Sequence, residues 1–242
     1  MKIKTAVVIA GGLGTRLRPV TLTTPKALIP IHERTLIEHV IMKVLEAGVE
    51  RVYVSIGYMA DKIKAYLSNT MLDFDKVFIV EENPLGTGGW LNLLSDEQKS
   101  RDFSEDFIVV NGDNLFDLNW SNLLKVHHEN DSVITIGLTS VDNVEDYGVV
   151  DLDGNKIKKF VEKPSRSDAP SNFINSGYYV FSPKVFDFVK FSGKFMLESD
   201  LFPRVAKEGL LHGYVDDAQW FDTGTKENWR EAEENWRVFE KK

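Results

Sequence analysis

The sequence contains no cysteine, no long hydrophobic run and no surplus of positive charge. The absence of cysteine excludes disulfides, thiolate zinc sites and thiol nucleophiles. No stretch reaches the roughly 18 apolar residues that a membrane-spanning helix needs. Lys and Arg number 29 against 37 Asp and Glu, a net charge of −8, whereas nucleic-acid binding draws on surplus cations to neutralise phosphates. We therefore expect no membrane and no nucleic-acid partner, and any phosphate ligand needs a local cation cluster or a metal ion.

The amino terminus does not look like a secretion signal. Its apolar run is too short for a signal-peptide core, and it leads directly into Gly11 and Gly12 instead of a cleavage site. We expect a cytoplasmic protein. A chain of 242 residues is long enough to bury roughly 70–75% of its unfolded surface without a disulfide or a structural metal ion. No repeat, low-complexity tract or linker interrupts it, which predicts a single domain over residues 1–242.

Strand and helix patterns alternate through the first half. The run Thr5–Ala10 consists of small and β-branched residues, typical of a central parallel strand buried on both faces. Patterns of helical period separate the strand-like segments that follow, the predicted elements being Leu36–Ala47, Arg51–Ile56, Met59–Ser68, Val77–Val80 and Phe107–Val110. This alternation predicts an α/β fold with a three-layer, Rossmann-like, doubly wound sheet.

The second half has a different pattern, with short strands and few helices between them. The predicted strands are Val133–Leu138, Gly148–Leu152, Ile157–Glu162 and Gly177–Phe181. Asp153 and Gly154 lie between two of these strands and form a hairpin signal. We therefore expect the sheet to be mixed, with an antiparallel extension. A last helix, Thr225–Glu240, places Trp229, Ala232, Trp236 and Phe239 on one face, which either covers the core, the interpretation we favour, or forms a homodimer contact.

A glycine-rich loop directly follows the first strand, with the sequence Gly11-Gly12-Leu13-Gly14-Thr15-Arg16-Leu17. Glycines let backbone N–H groups approach a polyphosphate closely, although they could also serve only a tight turn. A Walker loop would end in Gly-Lys-Ser/Thr, and a dinucleotide fold would run into a long helix, which Pro19 and Pro25 prevent. The remaining unusual feature is a pair of cations, Arg16 and Lys26, in a proline-stiffened segment.

Residues Gly11–Pro19 followed by Pro25-Lys26 resemble the signature of sugar-1-phosphate nucleotidylyltransferases, also called NDP-sugar pyrophosphorylases. The resemblance extends from about Thr5 to the loop around Asp222 and is strongest to short guanylyltransferases acting on mannose- or heptose-1-phosphate. It implies a nucleotide-binding half at about 1–115 and a sugar-binding half at about 116–242. It also implies a reaction between a nucleoside triphosphate and a sugar 1-phosphate that depends on Mg²⁺. In that reaction we expect Gly11, Gly12, Gly14 and Thr15 to contact the nucleotide, and Arg16 and Lys26 to hold the triphosphate.

Two aspartates are candidate metal ligands. Asp113 follows the strand Phe107–Val110 in the motif Asn111-Gly112-Asp113, and Asp222 lies between an apolar pair and a turn. Mg²⁺ accepts a few carboxylates together with phosphate oxygens, although either Asp could instead stabilise a turn. The resemblance implies that both hold Mg²⁺, because the family uses a Gly-Asp motif and a Phe-Asp-x-Gly-Thr motif for that purpose.

The resemblance places the sugar 1-phosphate against residues of the second half. Its Glu-Lys-Pro motif implies that Glu162 bonds sugar hydroxyls and that Lys163 grips the phosphate, with Gly148 and Asn175 from two further motifs. We add Asn111 to this group. Because Pro164 follows Lys163, we expect an extended backbone at Lys163.

The base is expected to bind at Glu81-Glu82-Asn83-Pro84-Leu85-Gly86-Thr87-Gly88-Gly89, by resemblance. Guanine presents two adjacent donors that one carboxylate can accept, whereas uracil and thymine suit an amide better. We therefore assign Glu81, Gly86 and Thr87 to the nucleotide and favour GTP over UTP, dTTP or CTP. Glu81 as a solvated strand-end charge stays an alternative, as does a catalytically silent binding protein. An NAD-dependent dehydrogenase is disfavoured by the prolines and by Pro25-Lys26.

Overall fold

A nine-stranded mixed sheet organises the computed structural model, which describes residues 3–189 and 193–237. The thirteen strands of the described residues are β1 (Thr5–Ile9), β2 (Pro30–Ile31), β3 (Arg34–Thr35), β4 (Arg51–Ile56), β5 (Asp75–Val80), β6 (Phe107–Asn111), β7 (Asn114–Phe116), β8 (Ile134–Ser140), β9 (Gly148–Asp153), β10 (Lys156–Glu162), β11 (Phe173–Phe181), β12 (Leu211–Val215) and β13 (Trp220–Asp222). The order across the large sheet is β5-β4-β1-β6-β11-β8-β12-β10-β9.

Seven helices lie among the described residues. They are α1 (Leu36–Leu45), α2 (Ala60–Ser68), α3 (Trp90–Leu93), α4 (Asp96–Asp102), α5 (Trp120–Glu129), α6 (Phe202–Lys207) and α7 (Lys226–Asn235). Thr35 and Glu38 form a capping box at the start of α1, which satisfies two of the free N–H groups there. Within the described ranges, no helix has the length and apolar character that a membrane span requires.

The first half is a parallel sheet, as predicted. Strand β1 lies between β4 and β6, with Ile9 beside Ser55 on one side and Asn111 on the other. Ala6, Val7 and Val8 are fully buried. Because these strands run in the same direction, their carboxyl ends share one edge of the sheet, where ligands bind in such folds.

The second half makes the sheet mixed, again as predicted. Strand β11 pairs antiparallel with both β6 and β8, and β9 and β10 form the predicted hairpin, with Gly154 at a φ of +57°. The register of β11 shifts between Asn175 and Tyr179, so this strand carries a bulge beside the carboxyl end of β6. Bulges redirect side chains, and this bulge lies where Asn175 was expected to face the ligand.

A two-stranded ribbon that the sequence analysis did not predict joins β7 to β13. Asp222 lies opposite Asn114 in this antiparallel pair, and the Thr223 hydroxyl donates to the Asp113 carbonyl at 2.6 Å. The ribbon therefore brings the two predicted metal ligands to adjacent register positions.

Helix α7 packs on the core, as the interpretation of its aromatic face favoured. Trp236 is 7% exposed and clusters with Leu17, Leu115 and Ala232. The Trp229 indole donates to the Pro30 carbonyl at 3.0 Å. The predicted Phe239 contact lies outside the described residues.

Candidate active site

The glycine-rich loop is closely surrounded by neighbouring strand ends. A Cβ on Gly11 would lie 3.4 Å from the Gly57 nitrogen and 3.8 Å from a Glu81 carboxylate oxygen. Gly14 has a φ of +59°, and a Cβ there would lie 2.8 Å from the Thr21 Cγ2. Glycine is required at position 14 because the left-handed conformation and the close approach both exclude a side chain. Gly12 and Thr15 are exposed, which leaves the loop's outer surface accessible.

Lys26 pairs with Asp113. The lysine Nζ lies 2.7 Å from Asp113 Oδ2, and the two side chains are 9% and 43% exposed. The buried lysine and the outward-facing carboxylate thus combine a predicted triphosphate ligand with a predicted metal ligand.

Arg16 and Asp222 meet around Gly224. A Cβ on Gly224 would lie 2.5 Å from the Arg16 Nη2 and 3.0 Å from Asp222 Oδ1. The Gly224 N–H donates to Asp222 Oδ1 at 2.8 Å, and the Asn228 amide donates to Oδ2 at 3.2 Å. Burial and the Asp222 charge raise the pKa of the neighbouring Tyr147 to about 12. The sequence analysis did not indicate Asn228, which lies six positions after Asp222 in the first turn of α7.

These carboxylates fit a magnesium ion that is also bound by phosphate. Mg²⁺ in proteins is held by one or two carboxylates, with phosphate oxygens and waters completing the octahedron. The described residues contain no group of three or more His, Asp or Glu that could hold a metal by themselves. Asp113 and Asp222 are two carboxylates of the kind that such a site uses.

Glu81 is buried, not solvated. Its carboxylate accepts the Ser55 hydroxyl at 2.7 Å and the Leu85 N–H at 3.0 Å, and the residue is 9% exposed. These two bonds fix the carboxylate beside Gly11, at the edge where β1, β4 and β5 end. Glu82 is exposed.

The segment around Gly86 and Thr87 is held against residues 195–198. A Cβ on Gly86, whose φ is +86°, would lie 2.6 Å from the Phe195 carbonyl oxygen. The Thr87 hydroxyl donates to Glu198 at 2.5 Å and accepts the Leu197 N–H at 2.9 Å. The Thr87 side chain is thus held by residues of the second half of the chain.

Asn111 and Asn175 lie beside the Tyr179 phenol. The Asn175 amide donates to Tyr179 Oη at 2.9 Å, while burial raises the pKa of this phenol and the Asn111 side chain acts to lower it. Among the described residues, Asn111 Oδ1 is buried and has no hydrogen-bond partner. A buried acceptor costs free energy unless it is satisfied, so this oxygen is suited to a ligand donor.

The residues predicted to bind the sugar 1-phosphate also include a neighbouring group, formed by Glu162, Lys163 and Gly148. Lys163 Nζ lies 3.9 Å from Glu162 Oε1, and a Cβ on Gly148 would lie 2.3 Å from the Phe160 ring and 3.0 Å from Glu162 Oε2. Burial raises the pKa of Glu162, opposed by the Lys163 charge.

The prediction of an extended backbone at Lys163 was wrong. Its φ is +47°, in the left-handed region. The Lys163 N–H continues the strand ladder by donating to the Tyr147 carbonyl at 3.0 Å. The chain turns away directly after that bond, and tertiary pairing therefore overrides the local preference set by Pro164.

Several relatives are similar over most of this chain. It is 34% identical over 223 residues to mannose-1-phosphate guanyltransferase beta-A of Xenopus laevis. It is 32% identical over 227 residues to the mannose-1-phosphate guanylyltransferase of Mycobacterium tuberculosis, and 32% identical over 237 residues to the UTP–glucose-1-phosphate uridylyltransferase of Synechocystis. These matches cover 90%, 92% and 90% of this chain and 61%, 62% and 60% of the relatives, respectively. The chain thus spans about three fifths of the length of these curated relatives.

Solved structures share the fold over nearly the whole chain. HddC from Yersinia pseudotuberculosis, in complex with GMP-PN, is 30% identical with a TM-score of 0.78, and the match covers 96% of this chain and 98% of that one. A UDP-glucose pyrophosphorylase in complex with UDP-glucose is 23% identical with a TM-score of 0.82, covering 96% and 97%, and shows the fold alone. The predicted three-layer α/β architecture is therefore confirmed.

The family model described as nucleotidyl transferase matches residues 5–237. That range includes the glycine-rich loop, both aspartates, Glu162 and Lys163. The chain belongs to the nucleotidyl transferase family, as its motifs predicted.

Proposed function

We propose that this protein transfers a nucleoside monophosphate from a nucleoside triphosphate to a sugar 1-phosphate, releasing pyrophosphate, and that GTP is the preferred donor. The convergence of two cations and two carboxylates at one sheet edge carries this proposal. Arg16 lies against the Asp222 loop, and Lys26 pairs with Asp113 at 2.7 Å. The relatives named as guanylyl- and uridylyltransferases support the reaction class. We propose that residues 1–242 act as one domain, with the halves meeting at about residue 115.

The reaction needs positioning and charge neutralisation more than acid–base catalysis. A phosphate oxygen of the sugar 1-phosphate bonds to the α-phosphorus, and the bond from that phosphorus to the bridging oxygen of pyrophosphate breaks. No proton has to move, because the nucleophile is already an anion. The two substrates repel each other, so cations that hold both reacting groups lower the barrier.

We assign Arg16 and Lys26 to the triphosphate and to the charge of departing pyrophosphate. Lys163 holds the sugar phosphate in line, while Gly11, Gly12, Gly14, Thr15 and Gly86 offer backbone to the nucleotide. Asp113 and Asp222 would hold Mg²⁺, which supplies positive charge between the phosphates when bound.

Glu81 supports GTP as the donor. Its carboxylate is fixed at the end of β5 by Ser55 and Leu85, and both of its oxygens keep lone pairs for two further donors. Guanine has adjacent N1–H and N2–H donors that match a carboxylate. The uridylyltransferase relative from Synechocystis makes UTP the second candidate.

The test is pyrophosphate release with Mg²⁺ across four nucleoside triphosphates and a panel of mannose, glucose, heptose and N-acetylated sugar 1-phosphates. We expect one pair to give the signal, with GTP as the donor. A signal with UTP alone would contradict the base assignment and retain the reaction. Silence across the panel would contradict the reaction with these sugars and leave either a sugar 1-phosphate outside the panel or the silent binding protein. A thermal shift by GTP and Mg²⁺ but not by NAD would then favour the untested sugar. A cytoplasmic location and a homodimer stay predictions of the sequence.

A further inference from the structure

Glu198 is a carboxylate that no sequence motif indicated. It lies on a π-helical turn, Leu197–Leu201, and is partly exposed. Its Oε2 accepts the Thr87 hydroxyl at 2.5 Å. The carboxylate is therefore fixed from the side of the nucleotide loop, while its remaining acceptor capacity is available to a ligand.

The surroundings of Glu198 are those of the proposed sugar pocket. Strand β10, which ends at Glu162, packs against the π-helical turn. The ring of Phe202, directly after that turn, lies 5.4 Å from the ring of Tyr179, whose hydroxyl accepts the Asn175 amide. The charges of Glu162 and Lys163 act on Glu198, and the Glu198 charge acts on the Tyr179 phenol. With Asn111, these groups come from β6, β10, β11 and the π-helical turn, so four elements direct polar groups to one region. The Asn111 Oδ1 that has no partner among the described residues belongs to the same set.

We infer that Glu198 is a specificity-determining residue, which together with Glu162 accepts hydrogen bonds from ring hydroxyls of the sugar 1-phosphate. The inference rests on the proposed function and names the chemistry that selects the sugar. Two carboxylates present acceptors only, so they select a sugar with free hydroxyl donors at both places. A sugar that lacks one of these hydroxyls leaves a partly desolvated charge without its donor, which is costly.

Burial supports this arrangement. It raises the pKa of Glu198, and the charge of Glu162 raises it further, whereas the Thr87 hydroxyl opposes the shift. Sugar hydroxyls are neutral hydrogen-bond donors. They therefore stabilise the charges of the two partly desolvated carboxylates without adding a further charge.

The experiment compares the wild type with Glu198→Gln, using GTP, mannose 1-phosphate and its monodeoxy forms, or the best pair from the panel above. Glutamine keeps an oxygen for Thr87 and replaces an acceptor with an amide donor. We expect the KM for the sugar 1-phosphate to rise roughly 10- to 100-fold, with the KM for GTP unchanged. For the wild type, one of the monodeoxy sugars should raise the KM by a similar factor. For the Glu198→Gln variant, the same deoxy sugar should give a KM no higher than that of the intact sugar.

The matched control is Asp200→Asn on the same π-helical turn. Asp200 Oδ2 accepts the Met196 N–H at 2.8 Å, so this change affects a hydrogen bond to the backbone of the turn. Both KM values should stay within about twofold of the wild type. Glu198→Asp, which withdraws the carboxylate by one methylene, gives the same comparison if the amide variant does not fold.

An unchanged sugar KM in a folded Glu198 variant of an active enzyme overturns the inference alone. Deoxy penalties that are equal in wild type and variant at every position do the same. A wild type that is silent across the whole panel contradicts the proposed function itself, and this inference with it.

Discussion

The Lys26 ammonium lies 2.7 Å from the Asp113 carboxylate, although the two residues are 87 positions apart. Only 9% of the lysine side chain is exposed, compared with 43% of the aspartate. The pair is therefore asymmetric, with the cation in the wall of the site and the anion turned toward solvent. A charged substrate group or a metal ion bound here would interact with both Lys26 and Asp113.

Replacing Lys26 with methionine should lower kcat/KM by roughly 10²- to 10³-fold, because a fixed cation near the phosphates is lost. The fold should survive, since the remaining Asp113 is partly solvated. Pyrophosphate release and thermal unfolding measure the two effects. Lys43→Met is the matched control, since this lysine is also buried and lies 2.6 Å from a carboxylate, that of Asp117. That control should lose about 1–2 kcal/mol of stability and keep its turnover. Equal activity losses in the two variants would remove Lys26 from the site.

Asp222→Asn should raise the Mg²⁺ concentration needed for half-maximal rate by roughly tenfold or more, because one of the two proposed carboxylate ligands is lost. The measurement is a Mg²⁺ titration of the rate at saturating substrates. Asp217→Asn is the control, since Asp217 is an exposed acid in the same part of the chain. An unchanged Mg²⁺ titration in the Asp222 variant would assign that residue to the turn it makes with Gly224.

Glu81→Gln should reduce kcat/KM for GTP by roughly 10- to 100-fold and affect UTP much less, because the amide no longer offers two acceptors to guanine. Ser55→Ala keeps the carboxylate and removes one of its two fixing bonds, so its GTP preference should persist. The assay is the kcat/KM ratio for the two nucleotides in each variant. Equal losses for both nucleotides would mean that Glu81 acts only by holding Leu85.

Asp102→Asn should destabilise the protein by on the order of 3 kcal/mol at pH 7. The Asp102 side chain is 4% exposed and accepts hydrogen bonds from Arg51, Arg101 and the Tyr53 hydroxyl. Burial acts to raise the pKa of Asp102, but these bonds and the Arg51 charge outweigh it and lower the pKa. Because the folded pKa is the lower one, the stabilisation is complete above the ordinary Asp value of about 3.9 and is lost as the pH falls through the folded value.

Urea unfolding of this variant and the wild type, at several pH values between about 3 and 7, tests that account. The difference in unfolding free energy should narrow below about pH 4. Asp75→Asn is the control, because Asp75 bonds the same Arg51 from a half-exposed position and should change stability by less than about 1 kcal/mol. A gap that stays constant with pH would show that the Asp102 charge is not responsible.

The parallel half of the sheet could be predicted because its strands are continuous apolar runs separated by helices of clear period. Arg51–Ile56 matches the observed strand at both ends, and Thr5–Ala10 extends one residue beyond it. The site residues that follow those strands could be placed at one edge for the same reason.

The remaining features depend on contacts between distant segments. Strands β7 and β13 have three residues each, too few for a period, and they exist because they pair with each other. Glu198 has no signature because its Thr87 partner is 111 positions away. Lys163 departs from the extended backbone that Pro164 favours because its N–H donates to the Tyr147 carbonyl.

Helix α7 closes over the first segments of the chain, with Trp229 bonded to Pro30 and the Trp236 carbonyl 3.0 Å from His32 Nε2. A ribosome makes the glycine-rich loop well before the residues that pack against it. Until Asp222 and α7 have emerged, the loop has neither its second carboxylate nor its packing partner. A nascent chain can therefore pair its early strands well before Asp222 and α7 have been made and the proposed site is complete.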